Sequence, residues 1–158
     1  MVYQMRGGEN QKVTQSSYLG AVLTPDGLRD AAAKVSRRIE QLEAEKGYKI
    51  DAIAFRGMSG ALVGPMAATF LNKGMLLVRK PGDGSHSDYT VEGMILARKY
   101  VIVDDFVSTG VTVSAIRAEI VKYSVAVLVG VIAYRTHGSE VYEKCLTPTD
   151  KVYIYGTG

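Results

Sequence analysis

Residues 100–112 read YVIVDDFVSTGVT. An apolar run of strand length ends on two adjacent carboxylates, Asp104 and Asp105, and passes into a turn of small and hydroxylated residues. Two acids closing a buried strand are costly to desolvate unless something pairs with them, so a partner from outside the chain is expected there. The next stretch, VTVSAIRAEIVKY, has helical length. A helix N-terminus presents unpaired N–H groups and partial positive charge, and small residues let an anion come close. Ser108, Thr109 and Thr112 add hydroxyl donors, and two carboxylates can accept hydrogen bonds from a vicinal diol. A phosphate beside a diol describes a ribose 5-phosphate.

Working outward, three more runs look like strands: IDAIAF at 50–55, MLLVR at 75–79 and VAVLVGVIAY at 125–134. Helical stretches separate them, GALVGPMAATFLNKG between the first two and the VTVSAIRAEIVKY run between the last two. Continuously apolar strands alternating with helices predict an α/β fold, with a parallel central sheet covered by helices on both faces. KVYIY at 151–155 is expected to add an edge strand. Upstream, Thr24-Pro25-Asp26 supplies a hydroxyl cap, a proline at the first helical position and an acid in the first turn. Leu28, Ala32, Val35, Ile39 and Leu42 then recur at helical spacing, with Arg37, Arg38, Glu43 and Glu45 on other faces, and the helix ends near Gly47. YLGAVLT before it is expected to be extended, and the aperiodic residues 1–17 to form a mobile arm or flap. In such sheets ligands bind beyond the carboxyl ends of the strands. Arg56, Arg79, Lys80, Asp104, Asp105, Tyr134 and Arg135 all fall at those ends.

A chain of 158 residues with 47% hydrophobic and 22% charged residues suits a single domain over 1–158 that buries roughly two-thirds of its unfolded surface. The net charge of +3 is mild and its lysines and arginines are scattered, which argues against nucleic acid as the partner. The single cysteine, Cys145, cannot form an internal disulfide and suits a reducing, cytoplasmic setting. No apolar run reaches about 18 residues, and no basic-then-apolar leader is present, so neither a membrane span nor a signal peptide is expected.

Residues 100–112 match, position for position, the thirteen-residue phosphoribosyl diphosphate (PRPP) signature of the type I phosphoribosyltransferases: hydrophobic strand, two acids, three variable residues, then Thr-Gly-x-Thr. A helix cap could account for Thr109 alone, but not for the whole string. A phosphoacceptor domain, which also pairs acids at a strand end, fits less well: its acids usually close the first strand, and a lysine stands where VIAYRT offers arginine. AFRGMSGALVGPMAA at 54–68 resembles the family's diphosphate loop and comes nearest to the adenine-type enzymes. Glycine at 57 and 60 would permit unusual backbone angles, although a plain strand-to-helix turn would also use them. LLVRKPGDGSHSDYTVEG resembles the adenine-type segment that carries an Arg-Lys pair, a mobile loop (81–88 here) and a tetrad ending in glutamate, here Tyr89-Thr90-Val91-Glu92. His86 is expected to face solvent.

The resemblance covers residues 50–135. It implies the type I phosphoribosyltransferase fold with a small hood, and transfer of the 5-phosphoribosyl group of PRPP to a nucleobase, a purine such as adenine, in nucleotide salvage. It further implies Mg2+, and a homodimer. In its terms Ser108, Thr109, Gly110, Val111 and Thr112 bind the 5-phosphate, while Arg56, Gly57, Arg79 and Lys80 bind diphosphate. Asp104 and Asp105 take the ribose and the metal, directly or through water. Glu92 manages the proton of the base, with an exposed loop acid as the plainer reading; Glu92, Asp104, Asp105 and Arg56 form the catalytic set. Three departures qualify this. Ser108 replaces the aspartate of 6-oxopurine enzymes, the turn reads Ser-Thr-Gly where orotate enzymes have Thr-Ala-Gly, and both ends are short. The competing expectation is a catalytically silent regulator that binds PRPP or a nucleotide on the same fold; an RNA-binding attenuator lacks a concentrated basic surface.

Overall fold

The computed structural model describes residues 2–4, 10–12, 19–83, 87–135, 143–149 and 151–158. Seven strands form one sheet in the order β5-β4-β3-β6-β7-β9-β8. They are β3 (Ala52–Phe55), β4 (Gly74–Val78), β5 (Val91–Gly93), β6 (Lys99–Asp104), β7 (Val127–Ala133), β8 (Glu143–Thr147) and β9 (Val152–Gly156). The five inner strands run parallel, and β5 and β8 close the two edges antiparallel. α1 (Pro25–Lys46) and α2 (Gly57–Leu71) share a hydrophobic cluster with Ile53, Phe55, Val101, Val103, Ile132 and Tyr155. On the other face, residues of α3 (Val111–Ile120) pack with Ala54, Leu76, Tyr100, Ile102, Val131 and Ile154. Alternate strand residues thus go to opposite cores, as a sheet buried on both sides requires.

From β3 the chain crosses to β4 on one side, whereas β6 pairs on β3's other side and leads on to β7. The switch point between β3 and β6 is where an open parallel sheet leaves a crevice at its carboxyl ends. α1 begins as expected: Thr24 caps it by accepting the Gly27 N–H (3.2 Å), and Gly47 ends it at φ 72°.

Four expectations are corrected. YLGAVLT is not extended: its residues 20–23 make a 3-10 turn packed on α1 and join neither sheet. The 151–155 strand is not at the edge, because β8, whose polar EKCLT run carries no strand signal, pairs outside it. Glu92 is not the exposed loop acid of the plainer reading, since it and Val91 belong to β5. Arg38 and Glu43 are buried rather than solvated. Arg38 lies over the Tyr155 ring, 4.9 Å from its centre, and Glu43 Oε2 accepts hydrogen bonds from the Ile50 N–H (2.8 Å) and Lys73 Nζ (3.0 Å). In the stretch expected to be an arm, two short strands, β1 (Val2–Gln4) and β2 (Asn10–Lys12), pair antiparallel. The remainder of 1–17, His86 and residues 84–86 of the expected mobile loop fall outside the described residues.

Lys73 also donates to the Ile50 carbonyl (2.5 Å). Its pair with Glu43 is nearly closed to solvent on both sides, at 10% and 7% side-chain exposure, and it ties the end of α1 to the approach to β3. Removing one partner leaves a buried charge alone. Lys73→Met should therefore lower unfolding free energy by about 3–5 kcal/mol in urea titration. Adding Glu43→Gln should recover much of that loss, because an amide oxygen can still accept the Ile50 N–H.

Candidate functional site

At the carboxyl end of β6, Asp104 and Asp105 are almost fully buried, at 8% and 6% exposure. Asp104 Oδ1 accepts hydrogen bonds from the Ser59 hydroxyl (2.9 Å) and from the Asp105 N–H (2.9 Å). Asp105 Oδ1 accepts the Phe106 N–H (2.8 Å). β7 continues the pairing past the strand ends, with Tyr134 N–H donating to the Asp104 carbonyl and Arg135 N–H to that of Asp105. Burial above all, together with the neighbouring Asp105 carboxyl, pushes the Asp104 carboxyl up to about 6, against the pull of the Asp105 N–H and Ser59. Two carboxyls this close cannot both ionise freely.

Beyond them Ser108, Thr109 and Gly110 turn the chain into α3. Gly110 stands at φ 82°, a left-handed conformation that favours glycine, and a Cβ there would meet Leu146 of β8 at 3.0 Å. No side chain caps α3. Thr109 Oγ1 is 3.4 Å from the Val111 N, a long contact, so the first turn keeps donors for a ligand.

The second wall is the start of α2. It too lacks a side-chain cap; Arg56 is extended, and Gly57 has φ 73°. Lys80 lies over Gly57 so closely that a Cβ would sit 3.0 Å from its Cε. Gly60 and Gly64, by contrast, are ordinary helical residues whose missing side chains let α2 lie on the sheet. A Cβ at Gly60 would come within 2.9 Å of both Phe55 Cβ and the Val103 carbonyl oxygen. The expectation of an unusual backbone thus holds at 57 and not at 60.

Between these walls is an open cleft of about 570 Å3, lined by Arg56 to Ser59, Lys80 and the continuous run from Asp104 to Val113. Arg56 Nε is buried and has no hydrogen-bond acceptor among the described residues. Two uncapped helix starts and two cations therefore line the same cleft as the carboxylate pair.

Arg79 and Glu92 lie elsewhere. Arg79 Nη2 donates to Glu92 Oε2 (2.6 Å), and the Ser87 hydroxyl donates to Glu92 Oε1 (2.6 Å). Neither Arg79 nor Glu92 lines the cleft. The Ser87 hydroxyl first, and then the Arg79 guanidinium, hold the Glu92 carboxyl below its ordinary value, so at neutral pH it is an ionised acceptor.

The chain is 32% identical over 120 residues to the adenine phosphoribosyltransferase of Dipodillus campestris, an alignment that covers 62% of this chain and 65% of that enzyme's length. No family model matches. Among solved structures, it superposes on the orotate phosphoribosyltransferase of Aeropyrum pernix with TM-score 0.66 at 16% identity, over 99% of this chain and 84% of that one. It also superposes on the adenine phosphoribosyltransferase of Saccharomyces cerevisiae, solved with adenine and an imino-altritol bisphosphate. There the TM-score is 0.58 at 24% identity, over 84% and 81% of the two chains. The chain has the type I phosphoribosyltransferase fold.

On this phosphoribosyltransferase fold, the structure brings together Arg56, Gly57, Lys80, Asp104, Asp105 and the run Ser108, Thr109, Gly110, Val111 and Thr112 around one cleft. It leaves Arg79 and Glu92 paired to each other on the β4–β5 side. Ser59 is a site residue that the sequence reading passed over. The available signal was that it is the one polar side chain between Gly57 and Ala68. Leu146, from the unanticipated strand β8, lies outside the cleft lining but packs against Gly110 of the turn.

The raised Asp104 value has a stability consequence. The native state holds this proton more tightly than the unfolded chain, so the cost of ionising it is absent below about pH 4 and complete above about pH 6. Asp104→Asn keeps an acceptor for Ser59 and the Asp105 N–H. In metal-free buffer it should be more stable than wild type at pH 7.5, on the order of 2 kcal/mol. Urea melts across pH should show that advantage vanishing below about pH 4; a variant that is less stable at every pH would make the pair structural.

Proposed function

We propose that the chain transfers the 5-phosphoribosyl group of PRPP to a nucleobase, adenine foremost, releasing diphosphate and a nucleoside 5-monophosphate. The observation that carries it is the convergence of two uncapped helix starts on one buried carboxylate pair: one for the 5-phosphate, at Gly110 to Thr112, and one for diphosphate, at Gly57. The similarity to an adenine phosphoribosyltransferase supports the choice of base. In this reaction the base nitrogen bonds to C1 of the ribose as the C1–oxygen bond to diphosphate breaks, and the electron pair leaves with diphosphate. Donors fixed in advance where that charge appears lower the barrier without reorganising. Lys80, Arg56 and the start of α2 take that part, while Asp104 and Asp105 hold the ribose hydroxyls. Held between the two helix starts, C1 is presented to the base in one orientation. Glu92 manages the proton of the base, a role that requires its pairing with Arg79 outside the cleft to open.

The carboxylate pair also suits Mg2+. Each aspartate has one oxygen engaged by protein donors. Among the described residues no cluster of three or more acidic, histidine or cysteine side chains offers a complete cage, so most of the coordination would come from substrate and water. When bound, the ion neutralises diphosphate charge. The proposal extends to a homodimeric, cytoplasmic salvage enzyme.

Incubation with PRPP, Mg2+ and a panel of bases, followed by diphosphate release, tests the function. Release with adenine well above the other bases is expected, and PRPP with Mg2+ should raise the melting temperature, since a ligand of the native state stabilises by mass action. Thermal stabilisation with no turnover on any base would favour the binding-only regulator, to which the Arg79–Glu92 pairing outside the cleft lends weight.

Glu92→Gln keeps the shape of the side chain and removes its basicity. It should lower kcat by roughly 100-fold and leave PRPP affinity nearly unchanged. An effect confined to KM would mark Glu92 as a binding residue instead.

A further inference from the structure

Three residues at the head of the cleft close a ring of hydrogen bonds across three elements. Ser59, in the first turn of α2, donates its hydroxyl to Asp104 Oδ1 (2.9 Å). Tyr134, just past β7, donates its hydroxyl to the Ser59 carbonyl (2.7 Å). The Tyr134 N–H donates to the Asp104 carbonyl (3.2 Å), which returns the ring to its start. The Tyr134 phenol is raised from its ordinary value by burial first and then by the two carboxylates, so it stays a donor at any working pH.

We infer that Ser59, held by Tyr134, is a positioning residue that sets the orientation of Asp104 and links the diphosphate end of the cleft to the ribose end. The role rests on the phosphoribosyl transfer proposed above. With Oδ1 occupied by Ser59 and the Asp105 N–H, the carboxylate is locked in rotation and its other oxygen remains for substrate. Ser59 itself lies two residues beyond Gly57, in the turn whose backbone N–H groups would receive diphosphate while its hydroxyl is given to Asp104, so any shift of α2 is passed to Asp104 through one bond. Free diphosphate needs only the start of α2 and the cations. PRPP needs those and a correctly aimed Asp104.

This difference supplies the test. Calorimetric titrations of PRPP and of inorganic diphosphate, each with Mg2+, would compare wild type with Ser59→Ala, Ser59→Thr and Tyr134→Phe. Losing one hydrogen bond to a charged acceptor should weaken PRPP binding about tenfold or more in Ser59→Ala and leave diphosphate within about twofold of wild type. Ser59→Thr restores the hydroxyl and should restore PRPP binding; Tyr134→Phe should give the Ser59→Ala pattern in weaker form. Equal weakening of both ligands would show that Ser59 shapes α2 rather than Asp104, and would overturn the role. So would Ser59→Ala binding PRPP as wild type does. Wild-type protein that binds diphosphate but not PRPP would overturn the phosphoribosyl reading itself.

Discussion

The close approach of α2 to the sheet governs the geometry of the site. Gly60 and Gly64 put bare backbone against Phe55 and the Val103 carbonyl, and a Cβ at Gly60 would be 2.9 Å from atoms of both strands beneath it. At that separation the first turn of α2, which follows β3, reaches sideways to the end of β6, and Ser59 meets Asp104. A helix held further out by side chains could not make that bond. The apolar character of α2 therefore serves two ends: its inner face fills the core with Val63, Ala67 and Ala68, and its nearness to the sheet brings an anion-receptive helix start beside the carboxylates.

Electrostatics at the cleft are balanced by elements that come from separate parts of the chain. Two buried carboxyls repel, and one of them is forced toward its neutral form. In the same cleft lie Arg56, Lys80 and the partial positive charge of two uncapped helices. Among the described residues neither set directly neutralises the other: Asp104 is bonded to a hydroxyl and an amide rather than to a cation, and Arg56 Nε has no acceptor. A ligand with anionic groups at both ends and hydroxyls between them resolves both imbalances together. Uncompensated charge of this kind costs stability and is kept where binding uses it.

Much of this could be read along the chain, since strand, turn and helix start are local properties. The apolar strands at 100–104 and 125–134, the proline-led start of α1 and the turn at 108–112 were legible because each is specified by a few consecutive residues. β8 was not, because an exposed edge strand such as EKCLT owes its conformation to its neighbour β9 and not to its own pattern. The burial of Arg38 and Glu43 was equally hidden. Helical periodicity assigns a charged residue to the wet face, yet Tyr155 and Lys73, distant in sequence, and Ile50, just past the helix end, give these two side chains partners inside.

By itself, then, the order of residues determined which segments form the five inner strands and the three α-helices, that those strands run parallel, and that acids, hydroxyls and glycine gather at the end of β6. Each follows from short-range sterics and periodicity. Only the tertiary structure decided which of the candidate residues share a cleft. It placed Arg56, Lys80, Asp104 and Asp105 together, set Arg79 against Glu92 apart from them, and brought in Ser59 and Tyr134. The physical reason is that a side chain's reach depends on how far a helix stands from a sheet and on which strand lies next to which, distances fixed by packing between residues 45 and 75 positions apart.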